Sequence, residues 1–357
     1  MSQLPSLITK VSNLNVETSR KVSAFLGAVV GDAASLHLEW IYDQAKVLDI
    51  VGGKDKDPAF WPDSHVPFFT LPNGKVSCYN DEAIQALNVM AKNDGKYDTG
   101  KLIDHFLIHF GDPESPYQIA KAKRVDKKYP IEGKNCFSHS TQSDQFHFCN
   151  FLGPWIQGTL ISMMDRYKAG INPPGPEDAE DHDGLCTALP LMIQQSPDLN
   201  MDELKTCFQV VSTKPDAITH YEVEAFLLNE YLKGTENPIE ATKDHFKENE
   251  VILNEINAVL DGKKAGQSAE ELVKKFGLAC PLPGSFQSSL VTLVGAQSYA
   301  DGIKEAIFCG GDSCSRSNLI GACLGAKFGI TAIPQEWLAK VDGIEELIDN
   351  CMKVFDK

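Results

Sequence analysis

Three short stretches of the sequence carry residues whose types and spacing could do chemistry. In the first, GAVVGDAASLHLEWIYD (27–43), Asp32 and Glu39 stand seven apart, on one face if a helix runs through both. Two carboxyls on an otherwise apolar face must be satisfied by polar contacts or put to use. The plain structural alternative has Asp32 capping a neighbouring helix and Glu39 in solvent. The second stretch is YNDEAIQALNVM (79–90), where Asn80 or Asp81 can cap a helix whose apolar stripe starts at Ala83. Glu82 in its first turn complements the helix dipole. The third is CGGDSCSRSNLIGACLGAKFGITAIP (309–334). A Gly310-Gly311 turn leads into Asp312, Ser313, Cys314, Ser315, Arg316 and Ser317. That polar turn presents a carboxylate, hydroxyls and a thiol beside free backbone N–H groups, a setting suited to an anion or a metal-bound ligand. Ordinary helix capping uses the same residue types.

The elements that must position these residues are helical. Val22, Phe25, Leu26, Val29 and Val30 repeat at three-to-four spacing, as do Ile84, Leu87 and Met90. Similar stripes run through Phe151–Met164, Leu204–Val211, Val223–Leu232 and Val251–Leu260, while alternating β-branched runs of strand length are almost absent. The pattern predicts an all-α fold of a dozen or more helices. Pro and Gly mark loops at 52–77, 129–138, 170–182 and 280–285. The first is long for a structureless connection, and such loops usually serve a site. No composition shift or internal repeat divides the chain, so the expectation is one domain over 1–357 with a core of about 20–340.

Composition narrows the function. With 33 Lys plus Arg against 49 Asp plus Glu, the formal net charge is −16, which repels phosphate backbones and argues against nucleic acid as a partner. The longest apolar run, Ala24–Val30, is too short to cross a membrane, and the N-terminal residues do not read as a signal peptide. Ten scattered cysteines without a CxxC pair fit reduced thiols and a cytoplasmic location. Among the histidines, His37 reads as core-packed or functional, His182 as solvated in an acidic Pro-rich loop, and His220 as structural.

Taken together, the three stretches resemble the motifs of the ADP-ribosylglycohydrolase superfamily. GDAASLHLEW is similar to its GDALG…E segment, YNDE stands where TDDT would, and GGDSCSRSN stands where GGDTDTN would. PGSFQSSL, DGLCTALPLM and ITHYEVEAFLL fit in order between them. The DAASLHLEWIYD string resembles most closely the branch that holds the jellyfish J1 crystallins and selenoprotein J. The resemblance implies an all-α fold with two Mg²⁺ ions in a central cleft, bound to the ribose hydroxyls of ADP-ribose. It also implies water attack at the anomeric carbon, with Glu39 in the position of the glutamate beside the scissile bond.

Carried over residue by residue, the implied metal ligands are Asp81, Asp312 and Ser315. Asn80 and Cys314 stand where two carboxylates would, and Tyr79 stands for a threonine. Gly311, Ser313, Cys314 and Asn80 fall to the substrate side of the implied site. Two ligand charges are missing and a thiol is a poor partner for Mg²⁺, so the expectation is at most one weak Mg²⁺ site. Glu82 does not replace the lost charge if its side chain points away from its neighbour's. The turn at Gly310-Gly311 and the nearby Arg316 favour a Cys314 thiolate, whereas Asp81 and Asp312 oppose it. Two functions stay open. One is hydrolysis of an ADP-ribosyl or related glycosidic bond with a degenerate metal site. The other is a non-catalytic role, as a crystallin J1-like structural protein or an ADP-ribose-binding pseudo-hydrolase.

Overall fold

Close approach of two backbones sets the centre of the fold. In the computed structural model, which describes residues 3–67, 69–126 and 152–356, the helix bearing Gly27 crosses the helix bearing Gly321 with almost no side chain between them. A β-carbon on Gly27 would overlap the Gly321 carbonyl oxygen, and one on Gly321 would overlap that of Gly27. Gly321→Ala should therefore cost about 1–3 kcal/mol or more, because the obstacle is backbone and cannot swing aside. A denaturant midpoint unchanged from wild type would show that the crossing can relax.

The described residues form eighteen α-helices, with isolated bridges and no strand. The first six are α1 (Leu4–Ser12), α2 (Val16–Ser35), α3 (Gln44–Val51), α4 (Cys78–Lys92), α5 (Thr99–His109) and α6 (Pro116–Asp126). Next come α7 (Gly158–Lys168), α8 (Asp183–Gln195), α9 (Met201–Phe208), α10 (Pro215–Lys233), α11 (Pro238–His245) and α12 (Glu250–Lys264). The last are α13 (Ala269–Phe276), α14 (Gly284–Gly295), α15 (Tyr299–Phe308), α16 (Ser313–Phe328), α17 (Gln335–Leu338) and α18 (Ile344–Phe355). The all-α expectation holds. Helices α2 and α16 are buried along nearly their whole length and are enclosed by α4, α8, α10, α14, α15 and α18.

Local chemistry explains where the boundaries depart from the sequence reading. Helix α4 begins at Cys78 with Ser77 as its N-cap, not at Asn80 or Asp81. The Ser77 hydroxyl is spent on Asp32, so no side chain caps α4. The stripe expected from 151 becomes helical only at Gly158, because Gly153 takes a positive φ of 136° just before Pro154. Loop 52–77 is pinned by His37, whose ring nitrogens meet the carbonyls of Trp61 (2.6 Å) and Leu71 (2.9 Å). Val66 and Phe69 of that loop pack in a small apolar cluster with Leu36, Tyr79 and Cys314. The expected loop 129–138, with Cys136 and Cys149, lies outside the described residues.

Candidate active site

Helix α2 ends at Ser35, a short 3-10 turn follows over Leu36–Leu38, and Glu39 then turns the chain back toward α16. Trp40 takes a left-handed φ of 59°, a strained setting for a non-glycine residue. Its N–H donates to the Gly311 carbonyl at 2.8 Å, and the Gly311 N–H donates to that of Ile41 at 2.8 Å. Gly311 itself needs both its positive φ of 71° and its missing β-carbon, which would overlap the Leu278 carbonyl. These contacts bring Glu39 to the N-terminus of α16, and it is 1% exposed rather than in solvent.

There Glu39 Oε2 accepts the Cys314 N–H at 2.7 Å and the Ser313 hydroxyl at 3.0 Å. Asp312, the N-cap of α16, accepts the Ser315 N–H on Oδ1 (3.3 Å) and the Tyr79 hydroxyl on Oδ2 (2.8 Å). Burial pushes the Glu39 carboxyl well above the usual carboxylate range, and the charge of nearby Asp312 pushes it further. Glu39 Oε1 and the Ser315 hydroxyl are buried without a hydrogen-bond partner. Thus Glu39, Asp312, Ser313, Cys314 and Ser315 come together, with Tyr79 added from α4.

Asn80 and Asp81 serve other contacts. Asn80 is fully buried and donates to the Asn318 side chain at 2.6 Å. Asp81 faces α5 and α6, where its carboxylate takes His109 (2.7 Å), Tyr117 (2.7 Å) and Gln85 (2.8 Å). Burial opposes its ionisation, but His109 and the other donors outweigh that and hold its carboxyl below the ordinary range. Asp81 and Asp312 share no hydrogen-bond partner. Among the described residues, no group of three or more His, Cys, Asp or Glu side chains is arranged to hold a metal ion.

Asp32 ties α2 to the start of α4, accepting the Ser77 N–H (2.7 Å) and hydroxyl (2.5 Å). Burial nevertheless raises its pKa to about 7, against those two donors. The folded protein therefore holds a proton there, between about pH 4 and pH 7, that the unfolded chain has lost. Stability from this group is present below that window and falls as pH rises through 7. Asp32→Asn should flatten that fall, worth on the order of a few kcal/mol, in urea titrations at pH 5 and pH 8. An unchanged pH slope would remove Asp32 as its source.

Several expectations are corrected. His182 is not solvated: it is 0% exposed, pairs with Glu224 at 2.6 Å and lies 3.4 Å from the Ser315 carbonyl. At Cys314 the opposing influences prevail: burial and then Glu39 and Asp32 push the thiol up, while Arg316 reaches away to backbone carbonyls. His220 is structural as expected, bonded to Glu255 (2.9 Å) and the Asp216 carbonyl (2.8 Å). The eight cysteines among the described residues are free.

The ADP-ribosylglycohydrolase family model matches residues 14–357, and the chain belongs to that family. Crystallin J1A of Tripedalia cystophora is 23% identical over 332 residues, covering 92% of this chain and 94% of that protein. Crystallin J1B of the same animal is 22% identical over 338 residues, covering 94% and 96%. A solved ADP-ribosylglycohydrolase-related protein complex shares the fold, with a TM-score of 0.60 at 18% identity, covering 96% of this chain and 99% of that one. No helix of the described residues is long and apolar enough to cross a membrane.

Proposed function

We propose that this chain is a hydrolase-like family member that acts on an ADP-ribosyl or related glycosidic bond through Glu39 and Asp312, without paired Mg²⁺ ions. The observation that supports this reading is the convergence of both carboxyls on the first turn of α16, where Glu39 accepts the Ser313 hydroxyl and the Cys314 N–H and Asp312 accepts the Ser315 N–H. Two acceptor-only groups in contact need a proton between them. A pair that shares one proton and keeps one negative charge offers an acid and a base in one place.

Glu39 supplies its proton to the leaving atom as the glycosidic bond breaks, and Asp312 carries the negative charge that water activation needs. A glycosidic carbon and a water fit between two carboxyls only when these stand roughly 5–10 Å apart. Substrate must therefore part the pair, and Glu39 Oε1 and the Ser315 hydroxyl are the buried groups without partners that it would meet.

The donor set does not fit two Mg²⁺ ions. Tyr79 occupies one Asp312 oxygen, Asp81 is filled by three donors, Asn80 holds Asn318, and Cys314 lies in an apolar cluster. The substrate is an ADP-ribose-like small molecule or an ADP-ribosylated protein, the class that the family acts on. Release of ADP-ribose from N- and O-linked ADP-ribosyl peptides tests this. Release should persist within a few-fold in EDTA; strict dependence on Mg²⁺ would contradict it.

One observation favours the non-catalytic reading. Glu39 and Asp312 are each 1% exposed, and Ser313, Cys314 and Ser315 are 0% exposed, which is deep for a site that admits substrate. Absence of release from every substrate would select that reading. Calorimetry with ADP-ribose would then separate a binding protein from a purely structural one.

A further inference from the structure

His37 makes more polar contacts with loop 52–77 than a neutral histidine can supply. Its Nδ1 meets the Trp61 carbonyl at 2.6 Å, and its Nε2 meets the Leu71 carbonyl at 2.9 Å. Its own carbonyl accepts the His65 N–H at 2.8 Å. Backbone carbonyl oxygens only accept, and a neutral imidazole has one N–H and one acceptor nitrogen. Two ring nitrogens on two carbonyls therefore require two protons. His37 is 6% exposed, so bulk water offers neither nitrogen another partner.

These contacts hold the loop against the candidate site. Between the two carbonyls in sequence, Val66 and Phe69 pack in the apolar cluster with Leu36, Tyr79 and Cys314, and Tyr79 donates to Asp312. Loss of either ring proton sets a nitrogen lone pair against a carbonyl oxygen, and the loop must shift to part them. We infer that doubly protonated His37 is a latch that holds loop 52–77 closed over the candidate site, and that loss of one proton to solvent releases it. Imidazole changes its charge between about pH 5 and pH 8. The closed form binds the extra proton, so closure is favoured at the acid end of that range and lost as pH rises.

Charged groups on the elements packed against His37 face other partners. Asp32 on α2 is turned to Ser77, and Glu39 to Ser313 and Cys314. On α16, Asp312 is turned to Tyr79 and the Ser315 N–H, and Arg316 to backbone carbonyls. In the loop, burial lowers the His65 pKa; Asp63 opposes this, while Lys46 and His37 itself add to it. The outer parts of the loop are tied without His37, by the ion pairs Asp57–Lys304 (2.9 Å) and Lys75–Asp342 (2.9 Å). The latch does not rest on the hydrolase reading, because its test follows the loop and not turnover.

The test uses the full chain labelled with nitrogen-15 in its histidine rings, the His37 signal being assigned by its absence from His37→Gln. At about pH 5.5 both His37 nitrogens should show the imidazolium shift, and at about pH 8.5 they should not. Thermolysin cleavage within 52–77, measured against an unfolded reference substrate at each pH, should rise about tenfold between those values. His37→Gln should be cleaved at the faster rate at both, and His65→Gln should keep the wild-type rise. Cleavage of the wild type that does not change with pH overturns the proposal even if neither variant folds. A neutral His37 ring at about pH 5.5 overturns it too. So does a rise that persists in His37→Gln, which would belong to Asp32, or one that disappears in His65→Gln.

Discussion

Glu39→Gln is expected to lower ADP-ribose release by about 10²–10⁴-fold, the usual contribution of a positioned general acid. The glutamine carbonyl can still accept the Cys314 N–H and Ser313 hydroxyl that hold Oε2 in place. Its amide nitrogen can donate to Asp312 where the proposed proton would join the pair. The variant thus keeps the shape and the contacts and loses only the transferable proton. Its melting temperature should stay at or above that of the wild type, because a buried acid pair has been replaced by an ordinary hydrogen bond. Equal release by variant and wild type would remove Glu39 from the chemistry.

Arg316→Met should cost about 3–5 kcal/mol in urea unfolding. Arg316 is 0% exposed and is one of the largest fully buried side chains in the protein. Its guanidinium donates to the carbonyls of Leu278 (3.0 Å), Ala306 (3.5 Å) and Gly310. Its charge is therefore offset by carbonyl dipoles at the end of α15 and in the turn after it. Methionine fills similar length but leaves the Ala306 and Gly310 oxygens without that donor. The Leu278 carbonyl keeps the Asp312 N–H at 2.7 Å, so the N-cap of α16 should loosen rather than vanish. Arg316→Lys should recover less than half the loss, because a point charge cannot reach three carbonyls at once. A loss under about 1 kcal/mol for the methionine variant would mean that water replaces the guanidinium.

The helices and the turn at Asp312 were legible in the sequence for physical reasons. Apolar spacing reports which face of a helix is buried, as in α2, α10 and α12. The glycines of GAVVG and IGACLG signal close backbone approach, although not which helix approaches. Partners across the fold were not legible. Glu82 and Asp183 look like first-turn carboxylates, and only the packing of the helices around α4 and α8 buries them. His182 sits in a Pro-rich acidic segment that looks solvated, and its burial depends on Glu224 from α10. Arg316 reads as one more polar residue in a helix start, while its role comes from carbonyls on two other segments. At Cys314 the sequence shows influences of both signs, and the burial and the nearness of Glu39 that settle its state depend on the fold.

The central claim is that a proton, not a pair of metal ions, joins Glu39 to Asp312. Infrared difference spectroscopy of wild type against Glu39→Gln at pH 7 in EDTA measures it most directly. The account predicts a protonated buried-carboxyl band in the wild type that the variant lacks. Loss of only ionised-carboxylate bands, with no protonated band, would contradict it.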